Sequence, residues 1–102
     1  CYFSSASRFV RAFFVKENSA CAQNEKDCIT QFFHILNAVA MPKGCVWTKG
    51  GFEYTRYSSC CNTNKGIYYY TTYNNLEISS VRMHDVDLEQ SSLYSYEVKG
   101  LE

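Results

Sequence analysis

Cysteine is the residue type with the most evident chemistry in this chain, with six copies among 102 residues. An even number of cysteines in so small a chain is typical of a disulfide framework formed in an oxidising compartment, and free thiols are the alternative. The spacing does not choose among the pairings, although a bridge between the adjacent Cys60 and Cys61 would close a strained ring. We therefore predict a secreted, disulfide-stapled protein with bridges from Cys1, Cys21, Cys28, Cys45, Cys60 and Cys61.

Histidine and the acidic residues give a weaker chemical signal. Zinc sites need closely spaced ligand pairs such as C-x2-C, whereas His34 and His84 lie far in sequence from the cysteine doublet. Acidic residues alternate in segment 84–89, but without the spacing of an EF-hand loop, so a solvated acidic loop is expected there. Phosphate-binding loops, G-x-S-x-G elbows and H-E-x-x-H helices do not occur in the sequence. We therefore predict no metal, no cofactor and no enzyme activity.

Tyrosine is the strongest compositional signal, with nine copies in the chain. Tyrosine rings offer a large contact area at low entropic cost, together with a hydroxyl group for hydrogen bonding. One interpretation is a recognition surface, and the other is that the rings stack across strands and fill a core. The single tryptophan packs over a disulfide or anchors an interface. The candidate binding residues are Trp47, Tyr54, Tyr57, Tyr69 and Tyr73.

Charge and length limit the classes of function. Ten basic and ten acidic residues give a formal net charge of zero, which argues against nucleic acid as a partner. No apolar run approaches the roughly 20 residues that span a bilayer, so stable membrane insertion is not expected. The length suits a single domain over 1–100, followed by a vector-derived tail at 101–102. Because the chain begins at Cys1 rather than Met, we expect a mature chain after removal of a signal peptide.

Two amphipathic helices are predicted in the first half of the chain. Segment 5–17 gathers phenylalanine and valine side chains on one helical face, with serine residues before it that can cap its start. Segment 25–41 has the clearest helical period, with Asn24 as its N-cap and Pro42 and Gly44 beyond its end.

Strand signals dominate after Cys45. Residue types that favour strands fill four segments, separated by turn signals such as Asn62–Gly66. The predicted strands are 52–58, 67–73, 76–83 and 93–98. Short connections predict antiparallel pairing, so the fold class is α+β, with two N-terminal helices packed on a C-terminal antiparallel sheet of about four strands and stapled by disulfides.

A second fold follows from a family resemblance. The order Cys21-x6-Cys28-x16-Gly44-Cys45, followed by the run from Tyr57 to Lys65 with its Cys-Cys-Asn-Thr element, resembles the Ly6/three-finger family. The resemblance extends from Cys21 to Lys65. It implies Cys1–Cys28 and Cys21–Cys45 bridges in an all-β, three-finger-like binding module.

The function predicted from these observations is recognition of another protein at an extracellular or host surface. An effector, a toxin, a pheromone and a surface ligand fit equally. The first alternative is a carrier of a small apolar ligand, in which phenylalanine faces enclose a cavity between helices and sheet. Those faces comprise Phe9, Phe13, Phe14, Phe32 and Phe33. The least favoured alternative is a secreted hydrolase built on His84 with Asp85 or Asp87.

Overall fold

Two helices and then five strands follow one another along residues 3–20 and 23–99, the part of the chain that the computed structural model describes. These elements belong to two units, Cys1–Thr55 and Arg56–Glu102. The first unit holds both helices and a two-stranded sheet, and the second holds a three-stranded sheet.

Helix α1 spans Ser5–Asn18, close to the predicted 5–17. Ser4 is its N-cap, and the Ser4 hydroxyl accepts a hydrogen bond from the backbone N–H of Ser7 at 3.2 Å. Such a side chain satisfies one of the donors left unpaired at a helix start. Within the described ranges, neither helix has the length and apolar character needed to cross a membrane.

Helix α2 spans Glu25–Asn37 and ends four residues before the predicted position 41. The helix ends early because the N–H groups of residues 38–40 donate to carbonyls three residues back, which tightens the chain out of the α-helical pattern. Phe33, 5% exposed, is the buried residue of α2.

A substitution of Asn24 tests whether this residue caps the start of α2. The Asn24 side chain accepts the N–H of Asp27 at 2.9 Å and also donates to the Asp27 carboxylate at 2.8 Å. Asn24→Ala removes both bonds, so we expect the free energy of unfolding to fall by about 1 kcal/mol. Urea denaturation measures the change. Asn24→Asp keeps a capping oxygen and is the control, and equal losses for the two variants would contradict the assignment.

A short hairpin follows the helices. Strand β1 (Val46–Thr48) pairs antiparallel with β2 (Gly51–Glu53), and the turn between them needs the positive φ of +118° at Gly51. The predicted single strand 52–58 is wrong, because residues 54–56 leave the strand. There the N–H of Thr55 donates to the carbonyl of Met41, and the Thr55 hydroxyl accepts the N–H of Met41.

The second unit is built on a three-stranded antiparallel sheet. Its strands β3 (Tyr57–Asn62), β4 (Ile67–Thr72) and β5 (Ser79–Arg82) lie in the order β3-β4-β5. The last two overlap the predicted 67–73 and 76–83. A turn at 63–66 joins β3 to β4, with a φ of +67° at Gly66.

Central strand β4 supplies the core of the second unit. Ile67, Tyr70 and Thr72 on this strand are 6%, 7% and 3% exposed. A single turn of 3-10 helix, Met83–Asp85, follows β5. The predicted strand at 93–98 is wrong, because this segment has no ladder hydrogen bonds.

The predicted fold class is wrong. Instead of one sheet of about four strands, the described residues form separate sheets of two and three strands. No disulfide joins any of the four described cysteines, Cys28, Cys45, Cys60 and Cys61, so the disulfide staple is wrong for them. Cys1 and Cys21 lie outside the described residues. The three-finger alternative is also wrong, because residues 25–37 form a helix rather than a β-hairpin. The single domain over 1–100 stays a prediction.

Candidate functional site

A cavity of about 430 Å³ opens on one face of the three-stranded sheet. This volume lies in the range of small-molecule sites. Four tyrosines, two valines and one glutamate line it. They are Tyr57, Tyr68, Tyr70, Val81, Tyr96, Glu97 and Val98.

Strand register brings the sheet residues of the cavity together. Tyr68 on β4 lies between its two cross-strand neighbours, Cys61 on β3 and Val81 on β5. Because side chains alternate along a strand, Tyr68 and Tyr70 share one face while Tyr69 points to the other. The rings of Tyr68 and Tyr70 are 6.1 Å apart, at an angle of 34°.

The segment before the described C-terminal end closes the cavity from the side. The backbone N–H of Lys99 donates to the Tyr70 hydroxyl at 3.3 Å, and the Thr72 hydroxyl donates to the Lys99 carbonyl at 3.4 Å. Side chains of β4 therefore hold this segment, in place of the strand ladder that the sequence predicted. The same bonds explain why Tyr70 and Thr72 are buried.

The chemistry of this cavity is that of a binding surface. Its lining residues are mainly aromatic and aliphatic, and Glu97 is the charged residue among them. Such a lining suits an apolar group that carries a few hydrogen-bonding atoms. Among residues 3–20 and 23–99, no cluster of three or more His, Cys, Asp or Glu side chains could hold a metal ion.

Two arginines of α1 bind the end of α2. Arg8 donates from Nε to the carbonyl of Val39 at 3.0 Å, and Arg11 donates from Nη1 to the carbonyl of Ala38 at 3.2 Å. Carbonyls at a helix C-terminus lack partners in the helix and carry partial negative charge, so they attract guanidinium groups. The basic residues of α1 thus fix the arrangement of the two helices.

The predicted binding residues divide between the two units. In the first unit, Trp47 is 71% exposed and stacks on Phe52 across the hairpin, with ring centroids 4.4 Å apart. Lys43 Nζ lies 4.5 Å from the centroid of the Tyr54 ring, a cation–π contact. Trp47 therefore packs on a neighbouring ring rather than over a disulfide.

The other three lie in the second unit. Tyr57 lines the cavity. Tyr69 is on the opposite face of β4, and the backbone N–H of Tyr73 donates to the carbonyl of Arg56. The structure thus places one of the five predicted residues at the cavity, and their role in binding stays a prediction.

Three of the five phenylalanines assigned to a carrier cavity are more than half exposed, whereas Phe33 is buried. Phe9, Phe13 and Phe14 are 74%, 59% and 64% exposed, so they do not enclose a ligand. His84 and Asp85 lie in the 3-10 turn after β5. The carboxylate of Asp87 accepts the backbone N–H of Glu89, which is a local turn contact.

Comparison with known proteins gives a family match over most of the sequence. Residues 2–96 match the model of the linear amide C–N hydrolases, choloylglycine hydrolase family. The chain belongs to the choloylglycine hydrolase family. It is 50% identical over 98 residues to the bile salt hydrolase/transferase of Lactiplantibacillus plantarum, a match that covers 95% of the chain and 30% of that protein. The bile salt hydrolase/transferase of Clostridium perfringens is 41% identical over 97 residues, covering 92% of the chain and 29% of that protein.

Solved structures agree with this family assignment. A variant of conjugated bile acid hydrolase from Clostridium perfringens has a TM-score of 0.82 and 35% identity, covering 96% of this chain and 30% of that one. Penicillin V acylase from Agrobacterium tumefaciens shares the fold, with a TM-score of 0.72 at 21% identity over 88% of this chain and 29% of that one. The chain thus spans about 30% of the length of the curated relatives it matches.

Membership of the choloylglycine hydrolase family overturns the functional predictions from the sequence. The predictions of a binding protein, of a carrier and of no enzyme activity are wrong, because the family comprises amide hydrolases. The extracellular protein partner is wrong for the same reason. The secreted localisation is wrong as well, because the described cysteines form no disulfide and the family match supports no secretion. The three-finger resemblance is wrong because the family model covers the same residues.

Sequence reasoning missed most of the cavity residues. The alternation in the run Ile67–Thr72 was sufficient to predict that Tyr68 and Tyr70 share a face. No local signal marks Tyr96, Glu97 and Val98, because their place depends on the bonds of Lys99 to β4.

Proposed function

We propose that this chain works as part of an enzyme that hydrolyses the amide bond of conjugated bile salts. The observation that carries the proposal is the 50% identity over 98 residues to the bile salt hydrolase/transferase of Lactiplantibacillus plantarum. In the reaction, water adds across the C–N bond, the acyl carbon takes the hydroxyl group, and the nitrogen takes the proton and leaves as an amine.

The share of the enzyme that this chain supplies follows from its length. It matches about 30% of each relative, so the complete enzyme is about three times as long. We assign to this chain the helix pair α1–α2 and the sheet β3-β4-β5, which form part of the framework that holds the active site. The bonds of Arg8 and Arg11 to the end of α2 support this role, because they stiffen the helix pair.

A segment exchange tests the proposal. In the chimera, this chain replaces the matching segment of the Lactiplantibacillus plantarum enzyme. We expect the chimera to release amine from a glycine-conjugated bile acid at a rate within about tenfold of the parent enzyme, a loss of less than about 1.4 kcal/mol in transition-state stabilisation. Mass spectrometry of the acyl product with an added amino acid separates hydrolysis from acyl transfer.

Two controls make the exchange decisive. The unmodified parent enzyme sets the full rate, and circular dichroism with a thermal melt establishes that the chimera is folded. A folded chimera that releases no amine would contradict the proposal.

A further inference from the structure

Four large apolar side chains form a continuous exposed surface on α1. Their spacing places them on adjacent turns of one side of the helix. We name this surface the Phe face, and it consists of Phe9 (74% exposed), Val10 (65%), Phe13 (59%) and Phe14 (64%). No described residue of α1 is buried. A contiguous apolar patch of this kind marks an interaction surface, unlike single exposed apolar residues.

The orientation of the Phe face is fixed by the opposite side of α1. Arg8 and Arg11 lie there and donate to the carbonyls of Val39 and Ala38 at 3.0 and 3.2 Å. Rotating α1 to bury its phenylalanines against α2 would break both charge-assisted bonds. The helix pair therefore holds the Phe face outward.

We propose that the Phe face packs against the polypeptide that forms the other 70% or so of the family fold, in the same enzyme molecule. The proposal rests on the proposed function, in which this chain is part of a longer enzyme. The helix pair belongs to a chain that superposes on a bile acid hydrolase with a TM-score of 0.82 while covering 30% of it. Such a fold must bury each apolar helix face against another layer.

The charges of α1 favour a protein layer over a lipid surface. A membrane-binding helix uses free lysine and arginine side chains beside its apolar face to attract anionic headgroups. In α1, Arg8 and Arg11 are engaged with α2, and Lys16 lies 3.6 Å from the Glu17 carboxylate. The charged residue on this side of α1 is Glu17, one turn beyond Phe13, and its carboxylate would repel anionic headgroups. The complement of the Phe face is therefore an apolar protein surface.

Thiol labelling in the chimera tests the proposal directly. We expect the thiol introduced by Phe13→Cys to react with a maleimide at least about tenfold more slowly than the thiol introduced by Lys49→Cys, because a packed layer must open before the reagent enters. Peptide mass spectrometry separates these positions from the native cysteines. Lys49 is exposed in the turn between β1 and β2, outside α1, and is the control.

A charge substitution gives a second, independent measurement. Phe9→Asp combined with Phe13→Asp should lower the Tm of the chimera by on the order of 10 °C. Gln23→Asp combined with Asn64→Asp adds the same charge at exposed polar positions outside α1 and should change Tm by a few degrees at most. Phe13→Leu keeps an apolar side chain and should retain most of the stability, which keeps the test informative if the double variant fails to fold.

Other results overturn the proposal. Equal labelling rates at residues 13 and 49 mean that the Phe face is exposed in the whole enzyme. Protection that disappears on dilution assigns the face to a second copy, and protection only with phosphatidylglycerol vesicles assigns it to a membrane. Labelling and Tm do not depend on amine release, so failure here is distinguishable from failure of the proposed function.

Discussion

Replacing Phe33 by alanine is expected to lower the free energy of unfolding by about 3–5 kcal/mol. Phe33 is 5% exposed and is the buried residue of α2. Its ring meets Phe32 edge-on, with centroids 6.3 Å apart at 81°. Alanine removes the ring and leaves a cavity that a helix fixed at both ends fills only in part. Among the described residues of the first unit, Phe33 is the buried hydrophobic one.

Urea denaturation of the chimera, followed by far-UV circular dichroism, measures this change. Phe32→Ala is the matched control, because it removes the same side chain from the neighbouring position, which is 42% exposed. We expect the control to cost about half as much or less, since part of that ring already contacts solvent. A cost at Phe33 no larger than at Phe32 would contradict the assignment of Phe33 to the core.

Tyr70→Ala is expected to have an effect of similar size in the second unit, about 3–5 kcal/mol. Tyr70 is 7% exposed on the central strand β4, and its hydroxyl accepts the N–H of Lys99. Alanine removes both the ring and the anchor of the segment that closes the cavity. Tyr70→Phe keeps the ring and loses the hydrogen bond, so it should cost about 1 kcal/mol.

The two substitutions at Tyr70 separate packing from hydrogen bonding. Urea midpoints give the stability, and hydrogen exchange at the amide of Lys99 reports the anchor. In Tyr70→Phe, exchange at Lys99 should rise while the amides of β4 stay protected. If Tyr70→Phe cost as much as Tyr70→Ala, the stabilisation would come from the hydroxyl, and the packing argument would be wrong.

Local signals were reliable where they described a single element. The Asn24 cap and the 3.6-residue period predicted α2, and the cap bond to Asp27 is present. Strand-favouring residue types and the turn signal at Asn62–Gly66 predicted β4. Each of these signals depends on residues a few positions apart, which interact in the same way whatever surrounds them.

Signals that needed knowledge of distant contacts failed. The number of cysteines suggested a disulfide framework, but the thiols of Cys28, Cys45 and Cys61 are free. Segment 93–98 has strand-forming residues, yet Lys99 bonds to side chains of β4 and the segment joins no ladder. Phe9 and Phe13 were assigned to a carrier cavity, and within this chain they are exposed.

The sequence by itself determined the helix starts, the central strand and the absence of a membrane-length apolar run, because each depends on local spacing. Tertiary structure decided which faces are buried, where the tyrosine cavity forms and how Arg8 and Arg11 orient α1, since these features join residues from about 10 to more than 30 positions apart. No local sequence pattern indicated the function. The proposed function follows from family membership, because the chain corresponds to about 30% of the length of its relative.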